Sequence, residues 1–390
     1  MHWTDWILLL MFINGTAWVG TILLLIIEQR LVPPLQPAPS ALPPTGAPKV
    51  SILIPARNEE RNIRRCLDSV LNQDYGHFEV IVIDDQSEDA TAAIVTEYAA
   101  ADSRIRLIRG QPLPDGWKGK GWALWQGHQQ AVGEWVLLLD ADTKLYPHAL
   151  GGTLAFALKR NIDFLNPTPY FRLGSFWERV MQPFVWDFVL IRFPKLLVNW
   201  RRFPDNMAFG PFLLIRKAVY DAVDGHRGVC HSILEDVLLS QDIKKAGYST
   251  YVVDGSAIFE VRMYTNLSEV IEGWMKTAFA SMNYNLPLML AAILGMFLTT
   301  ALPFAVLPLA TWQYLAHGSE TALLFTYAGL FQVGALLLRR FIKDLYYGFP
   351  LAYIVTHPFA VFVVLYMQLN STYQYYFGAI TWKGRSYAKS

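Results

Sequence analysis

The tripeptide Asp140-Ala141-Asp142 follows an unbroken apolar run, Trp135-Val136-Leu137-Leu138-Leu139. Such a run reads as a buried strand, and open α/β sheets bind ligands beyond the carboxyl ends of their strands. Two carboxylates one residue apart suit a hard divalent cation, Mg2+ or Mn2+, which takes oxygen ligands and often shares them with substrate phosphates. Taken alone, the pair serves as readily as a turn cap or a surface loop. Further acids stand at comparable places. Asp84-Asp85 closes a second apolar run, Glu59 lies in the loop after another, and Glu235-Asp236 lies in a segment of helical periodicity. One acid at a strand end is a cap, whereas acids at successive strand ends look like a site. Lys118 and Lys120 read either as a solvated basic turn or as counter-charges for an anion.

The elements that must position these groups begin at Lys49. Short apolar strands alternate with longer amphipathic stretches, which predicts βαβ units and a largely parallel sheet. Strands are expected at Val50–Ile54, Phe78–Ile83, Ile105–Ile108 and Trp135–Leu139. Helices are expected over Asn62–Asn72, over Asp89–Ala100 with Ser87 as cap, from Trp122, and over Val229–Lys245. On pattern alone, Glu235 and Asp236 are ordinary acids favoured by a helix dipole.

The chain has 390 residues, 53% of them hydrophobic and only 17% charged, with a net charge of +1. Its mean hydropathy is +0.25. This balance is too apolar for an ordinary soluble enzyme, and it gives no basic patch of the kind a nucleic-acid partner needs. The two cysteines, Cys66 and Cys230, lie far apart and without metal-type spacing. Four apolar segments, Trp6–Ile27, Leu286–Leu309, Thr321–Leu338 and Phe349–Leu369, are long enough to meet a bilayer of about 30 Å. The organisation expected is an anchor at 1–30, a proline-rich linker at 31–48, a catalytic domain at 49–260, an interfacial helix at 261–285, about three spans over 286–370 and a tail at 371–390. Arg339, Arg340 and Lys343 follow the third span, so the positive-inside rule puts that loop and the 49–285 region on the cytoplasmic side. Aromatic and basic residues alternate from Phe171 to Phe203, a pattern that suits either a helix in the headgroup region or a packed internal helix pair.

Val50-Ser51-Ile52-Leu53-Ile54-Pro55-Ala56-Arg57-Asn58-Glu59 resembles the opening strand and loop of the family-2 glycosyltransferases, which share the GT-A fold. Val82–Asp89 is similar to their second motif, Asp140-Ala141-Asp142 to their metal motif, and Leu234-Glu235-Asp236 to their catalytic Glu-Asp pair. The four occur in the family's order over about 49–240. The resemblance implies an α/β, Rossmann-like GT-A domain, largely parallel in its sheet, beside transmembrane and interfacial helices. It places Pro55, Ala56, Glu59, Asp85, Lys118, Lys120 and Asp140 about a nucleotide sugar, with Glu59 and Asp85 at uracil and ribose. It gives Asp142 and Asp140 the Mg2+ or Mn2+, Asp236 the role of base and Glu235 a supporting role.

After the domain, Val261–Tyr264, Glu272–Lys276 and the tail Thr381–Tyr387 resemble a membrane subgroup that glycosylates lipids. Carotenoid, hopanoid-associated and ceramide glucosyltransferase-like enzymes are in this subgroup. Where processive polysaccharide synthases carry Gln/Arg-x-x-Arg-Trp, this chain has Ile271-Glu272-Gly273-Trp274. The resemblance therefore implies single-sugar transfer to a hydroxyl of a membrane lipid, with carotenoid or terpenoid acceptors ahead of diacylglycerol, sphingolipid-like and hopanoid ones. Gly210, His226, Arg262, Trp274 and Arg385 are the residues expected to close over acceptor or diphosphate. The expected setting is a bacterial-type cell or thylakoid membrane.

Overall fold

Residues 2–37, 39, 47–378, 380–382 and 385–387 are described in the computed structural model of the chain, with side chains described as far as Gly378. Positions 38 and 40–46 of the proline-rich stretch, and the Arg385 side chain, lie outside the described residues. The chain opens with helix α1 (Trp3–Leu31) and folds as two units. One takes in residues 31–172 and 195–263, the other 1–30, 173–194 and 264–389.

The first unit is built on β1 (Val50–Ala56), α2 (Ile63–Leu71), β2 (Phe78–Asp84), α3 (Thr91–Ala101), β3 (Ile105–Arg109), α4 (Gly119–His128) and β4 (Trp135–Leu139). It continues with β5 (Thr143–Leu145), α5 (Ala149–Lys159), β6 (Phe164–Thr168) and β7 (Tyr170–Phe171). Helix α6 (Phe176–Arg192) belongs to the other unit. The chain then returns through α7 (Lys195–Val198), β8 (Phe212–Arg216), α8 (Lys217–Ala222), α9 (Gly225–Gly228), α10 (Glu235–Lys245), β9 (Thr250–Asp254) and β10 (Phe259–Val261).

Seven strands form one sheet in the order β3-β2-β1-β4-β8-β6-β9. Its central strands are apolar on both faces because helices cover both, and β4 is buried at all five positions. The sheet is largely parallel, but β8 runs antiparallel to both β4 and β6. Strand order reverses between β1 and β4, which pair in parallel. The loop after β1 and the Asp140–Asp142 turn therefore flank the switch point, where an open α/β sheet leaves a crevice.

Three local expectations change. Helix α3 starts at Thr91, because the Asp89 carboxylate accepts from the Thr91 N–H (2.9 Å) and hydroxyl (2.5 Å), while Ser87 instead accepts from the Asn58 N–H. Helix α4 begins three residues ahead of Trp122, at Gly119, which puts Lys120 in its first turn. Helix α10 begins only at Glu235, because the Ser232 hydroxyl takes the Leu234 N–H and local side-chain bonding competes with the helix.

The second unit adds α11 (Leu267–Ala278), α12 (Leu286–Met296), α13 (Leu302–His317), α14 (Glu320–Tyr346) and α15 (His357–Phe377), followed by β11 (Ile380–Trp382) and β12 (Arg385–Tyr387). Among the described residues, four helical stretches are long and apolar enough to cross a membrane: Trp3–Leu31, Leu286–His317, Glu320–Tyr346 and Leu351–Phe377. A π turn at Phe297–Ala301 joins α12 to α13 just ahead of Pro303, whose ring cannot donate to the helix ladder. Helix α6 carries a capping box, Ser175 with Glu178, and buries Phe184, Trp186 and Asp187. It packs against α11, α14 and α15, so much of its aromatic face is protein interior.

The three cations of α14 are also interior. Arg339 pairs with Asp187 at 2.8 Å, and its other nitrogen donates to the Thr21 carbonyl of α1. Asp344 pairs with Arg340 at 2.6 Å and with Lys343 at 2.7 Å, all with side chains at most 1% exposed. Breaking a buried pair from one side leaves an uncompensated charge, a loss of about 3–5 kcal/mol. Asp344→Ala is therefore expected to lower stability by about that amount in thermal unfolding of detergent-solubilised protein. An unchanged midpoint would mean that Arg340 and Lys343 find other partners.

Candidate active site

Two loops build the first wall of the site. After β1, Asn58 takes a left-handed conformation (φ 53°), as does Gln86 after β2 (φ 59°). The two loops are laced together. Arg57 donates to the Asp85 carbonyl at 2.9 Å, the Asp85 N–H to the Ala56 carbonyl at 2.8 Å, and the Glu88 N–H to Asn58 Oδ1 at 2.9 Å. The Glu59 N–H donates to Thr91 Oγ1 at 2.8 Å and the Glu60 N–H to Asp89 Oδ2 at 3.1 Å. Behind them Arg109 holds the buried Asp84 carboxylate at 2.8 Å. Glu59 and Asp85 are buried in this wall.

The β4 edge supplies the second wall. The Asp140 N–H donates to the Pro211 carbonyl at 3.3 Å, the Thr143 N–H to the Asp140 carbonyl at 3.1 Å, and Arg65 to the Asp142 carbonyl at 2.7 Å. Burial raises the Cys66 thiol pKa far above its ordinary value, and Asp142, Glu59 and Asp140 add to the rise. The sulfur therefore stays a protonated thiol.

The third wall is α10, with Glu235 and Asp236 in its first turn. Lys120 joins this wall to β4. Its ammonium lies 2.6 Å from Asp140 Oδ1 and 4.0 Å from Glu235 Oε1, with the side chain about one-third exposed. Enclosure works against that charge, but Asp140, Glu235 and Asp236 together outweigh it and hold the pKa above its ordinary value. Gly210 keeps the space among these groups open. A Cβ there would stand 2.7 Å from Lys120 Nζ, 3.2 Å from Asp236 Oδ2 and 3.7 Å from Asp140 Oδ2. Asn166, fully buried on β6, fixes this turn. It donates to the Phe209 and Phe212 carbonyls (3.1 and 2.8 Å) and accepts from the Phe209 N–H at 2.9 Å. The sequence analysis missed Asn166, although a lone amide in the apolar run Phe164–Thr168 was a usable signal.

His226 sits behind Lys120 rather than among open pocket groups. It is 1% exposed, with its ring carbon 3.5 Å from where a Gly121 Cβ would be. Its backbone N–H donates to the Tyr220 hydroxyl at 3.1 Å, and that hydroxyl lies 2.6 Å from Nδ1. With the hydroxyl proton directed to Nδ1, the ring proton resides on Nε2. Gly225 makes this possible. Its φ is +47°, and a Cβ would stand 2.1 Å from the Tyr220 ring.

Of the remaining expected residues, Pro55 and Ala56 end β1 at the switch point. The Lys118 N–H donates to the Cys230 carbonyl at 2.9 Å, at the N-cap of α4. Arg262 follows β10, half-buried. Trp274 belongs to the helical unit, where its indole N–H donates to Gln182 at 2.8 Å and its ring meets Tyr264 edge-on.

Among the described residues, no three His, Cys, Asp or Glu side chains are placed to hold a metal by themselves. The donor set still fits a Mg2+ or Mn2+ ion that completes its shell with substrate phosphate, because two Asp carboxylates stand at the strand end and Gly210 sets no side chain against the Asp140 carboxylate.

Residues 51–224 match the family description "Glycosyl transferase family 2". The chain carries a family-2 glycosyltransferase domain. This glycosyltransferase is an enzyme of the hexosyl-transferring kind, and its fold is GT-A. A 4,4'-diaponeurosporenoate glycosyltransferase of Staphylococcus aureus (strain MRSA252) is 28% identical over 350 residues, covering 87% of this chain and 88% of that enzyme. The enzyme of the same name from Staphylococcus haemolyticus (strain JCSC1435) is 27% identical over 230 residues, 58% of this chain and 60% of that enzyme. A mannosyltransferase from Pyrobaculum calidifontis, solved in complex with GDP-Man and Mn2+, shares the fold with a TM-score of 0.51. It is 18% identical and covers 90% of this chain and 99% of its own.

Burial lowers the His226 pKa to about 3, helped by the neighbouring Lys120 charge and by His128. An unfolded histidine titrates near 6.5. Between those values the unfolded chain binds a proton that the folded glycosyltransferase refuses, so stability falls as pH drops through this window and is unaffected above it. The slope is about 1.4 kcal/mol per pH unit for one such group. His226→Gln is expected to flatten the decline in unfolding free energy between pH 6 and 4. A slope equal to that of the wild type would assign the acid loss to other groups.

Proposed function

We propose that this glycosyltransferase moves one hexose, with inversion, from a nucleotide diphosphate sugar to an acceptor drawn from the membrane, a carotenoid or terpenoid hydroxyl being preferred. The observation that carries the reading is the convergence of Asp140, Glu235 and Asp236 on Lys120 across the open turn at Gly210. The diaponeurosporenoate relatives and the four apolar helices support the acceptor class.

In this reading Glu59 and Asp85 accept from base and ribose, the base being uracil, with Pro55 and Ala56 shaping that wall. Asp142 and Asp140 would hold Mg2+ or Mn2+ together with diphosphate oxygens. When bound, the ion supplies positive charge to the leaving diphosphate. Asp236 takes the proton from the acceptor hydroxyl as its oxygen attacks the anomeric carbon, and the bond from that carbon to the diphosphate breaks. Glu235 keeps Asp236 in place, and Lys118 and Lys120 offer charge to the diphosphate.

A second reading is favoured by the relatives' acceptor, which by its name is a carboxylate. An acceptor carboxylate attacks without losing a proton, so it has no need of a base. Asp236→Asn separates the two. For a hydroxyl acceptor kcat is expected to fall by about 10²–10⁴-fold with little change in donor KM. For a carboxylate acceptor, less than about a tenfold loss is expected. Chromatography of pigments and lipids from a deletion strain identifies the acceptor. Loss of a glycosylated carotenoid with normal glycolipids supports the preferred class, and the reverse pattern moves the reading to diacylglycerol, sphingolipid-like or hopanoid acceptors. Polymeric product would indicate a processive synthase, and a folded wild-type protein that binds nucleotide sugar but transfers it to none of these acceptors would indicate a binding scaffold. Excess chelator is expected to abolish transfer by the purified enzyme. Full activity under chelation would remove the metal from the scheme.

A further inference from the structure

We propose that Lys120 is a tethered counter-cation that occupies the carboxylate cluster before substrate arrives, and that metal and nucleotide load by displacing it. The inference rests on the metal-dependent reading above and goes beyond it, because it gives one side chain two successive positions.

Three observations meet here. The Lys120 ammonium is in direct contact with Asp140 Oδ1, at 2.6 Å, so it occupies coordination space at one of the two carboxylates that would receive a metal. It reaches toward Glu235 at 4.0 Å, so one cation bridges strand β4 and helix α10. The position also lacks a helical rationale. Lys120 is in the first turn of α4, where the dipole disfavours a cation, and the facing carboxylates offset that. Gly210 lets the ammonium lie directly against the turn, since a Cβ there would stand 2.7 Å from Lys120 Nζ.

A divalent ion at Asp140 and a lysine ammonium in contact with the same carboxylate repel each other and compete for the same oxygens. A nucleotide diphosphate resolves the conflict, because its oxygens complete the ion's shell and give the displaced ammonium a new anion to meet. Metal uptake is then coupled to nucleotide uptake through a single side chain, and the empty enzyme discriminates against free metal. Without the lysine, carboxylates on β4 and α10 would repel one another in the empty state. Lys120 removes that strain without committing the site to an ion.

The test is Mn2+ binding by the purified full-length protein in detergent, read as loss of the free-ion electron paramagnetic resonance signal, with and without UDP or GDP. In the wild type, nucleotide-free affinity is expected to be weak and to rise at least tenfold with nucleotide. Lys120→Met and Lys120→Gln are each expected to bind Mn2+ without nucleotide about tenfold more tightly than the wild type, and to lose most of the nucleotide enhancement. Lys120→Arg keeps the charge and is expected to show no gain. Two removal variants guard against one that fails to fold, and thermal melting reports which is intact. Unchanged or weaker nucleotide-free binding in the folded removal variants, alongside nucleotide-enhanced uptake in the wild type, would overturn the inference and leave the metal reading standing. No uptake by any of these proteins, with or without nucleotide, would overturn both.

Discussion

Like charges crowd one edge of the central sheet, and the rest of the catalytic unit answers that constraint. Glu59, Asp85, Asp140 and Asp142 stand near the ends of β1, β2 and β4, with Glu235 and Asp236 facing Asp140 across Lys120. Two unit charges 4 Å apart interact by about 4 kcal/mol at an effective dielectric of 20, so a cluster of this kind does not assemble unassisted. The fold brings cations to its edges and to its middle. Arg109 holds Asp84, Arg65 reaches the Asp142 carbonyl, and Lys120 lies against Asp140. The site is therefore a set of carboxylates whose geometry is largely decided by where the basic residues can reach.

Uncharged residues decide how closely backbone can approach that cluster. Gly210 lets the turn before β8 pass against Lys120 and Asp236, and the buried Asn166 holds the turn by three backbone bonds. Gly225 lets the Tyr220 ring fit beneath α9, so that its hydroxyl engages both the backbone and the ring of His226. A neutral imidazole beside Lys120 avoids adding a second positive charge. These contacts come from β6, α8 and α9, which carry none of the acids, so a change far from the chemistry in sequence can still move it.

Much of this was legible in the chain because its strongest signals are local. The strand-to-acid junctions at Asp84 and Asp140 mark two strand ends of the sheet, and the four apolar runs mark the helices long enough to span a bilayer. Pairing across the fold was not legible. Lys120 and Asp140 were each candidates by residue type and position, but nothing in their spacing says that they meet. The start of α10 was misjudged because a single Ser232 hydroxyl outcompetes the helix locally. Strand β8 runs against its neighbours because of how the chain re-enters the sheet after α6, which pattern within the strand does not encode. Arg339, Arg340 and Lys343 read as loop cations and are in fact interior ion pairs, since sequence reports charge but not its partner.

The lacing between the β1 and β2 loops bears on how this enzyme spends conformational freedom. Each bond from Arg57 to Asp89 ties one loop to the other, and none requires a bound ligand. The two loops thus brace each other within the unit, and in the proposed reading a donor reaching Glu59 and Asp85 would meet a wall that is already set. Recognition at this wall is then closer to a lock than to a closing hand, and adaptability has to come from Lys120 and the α10 side of the crevice.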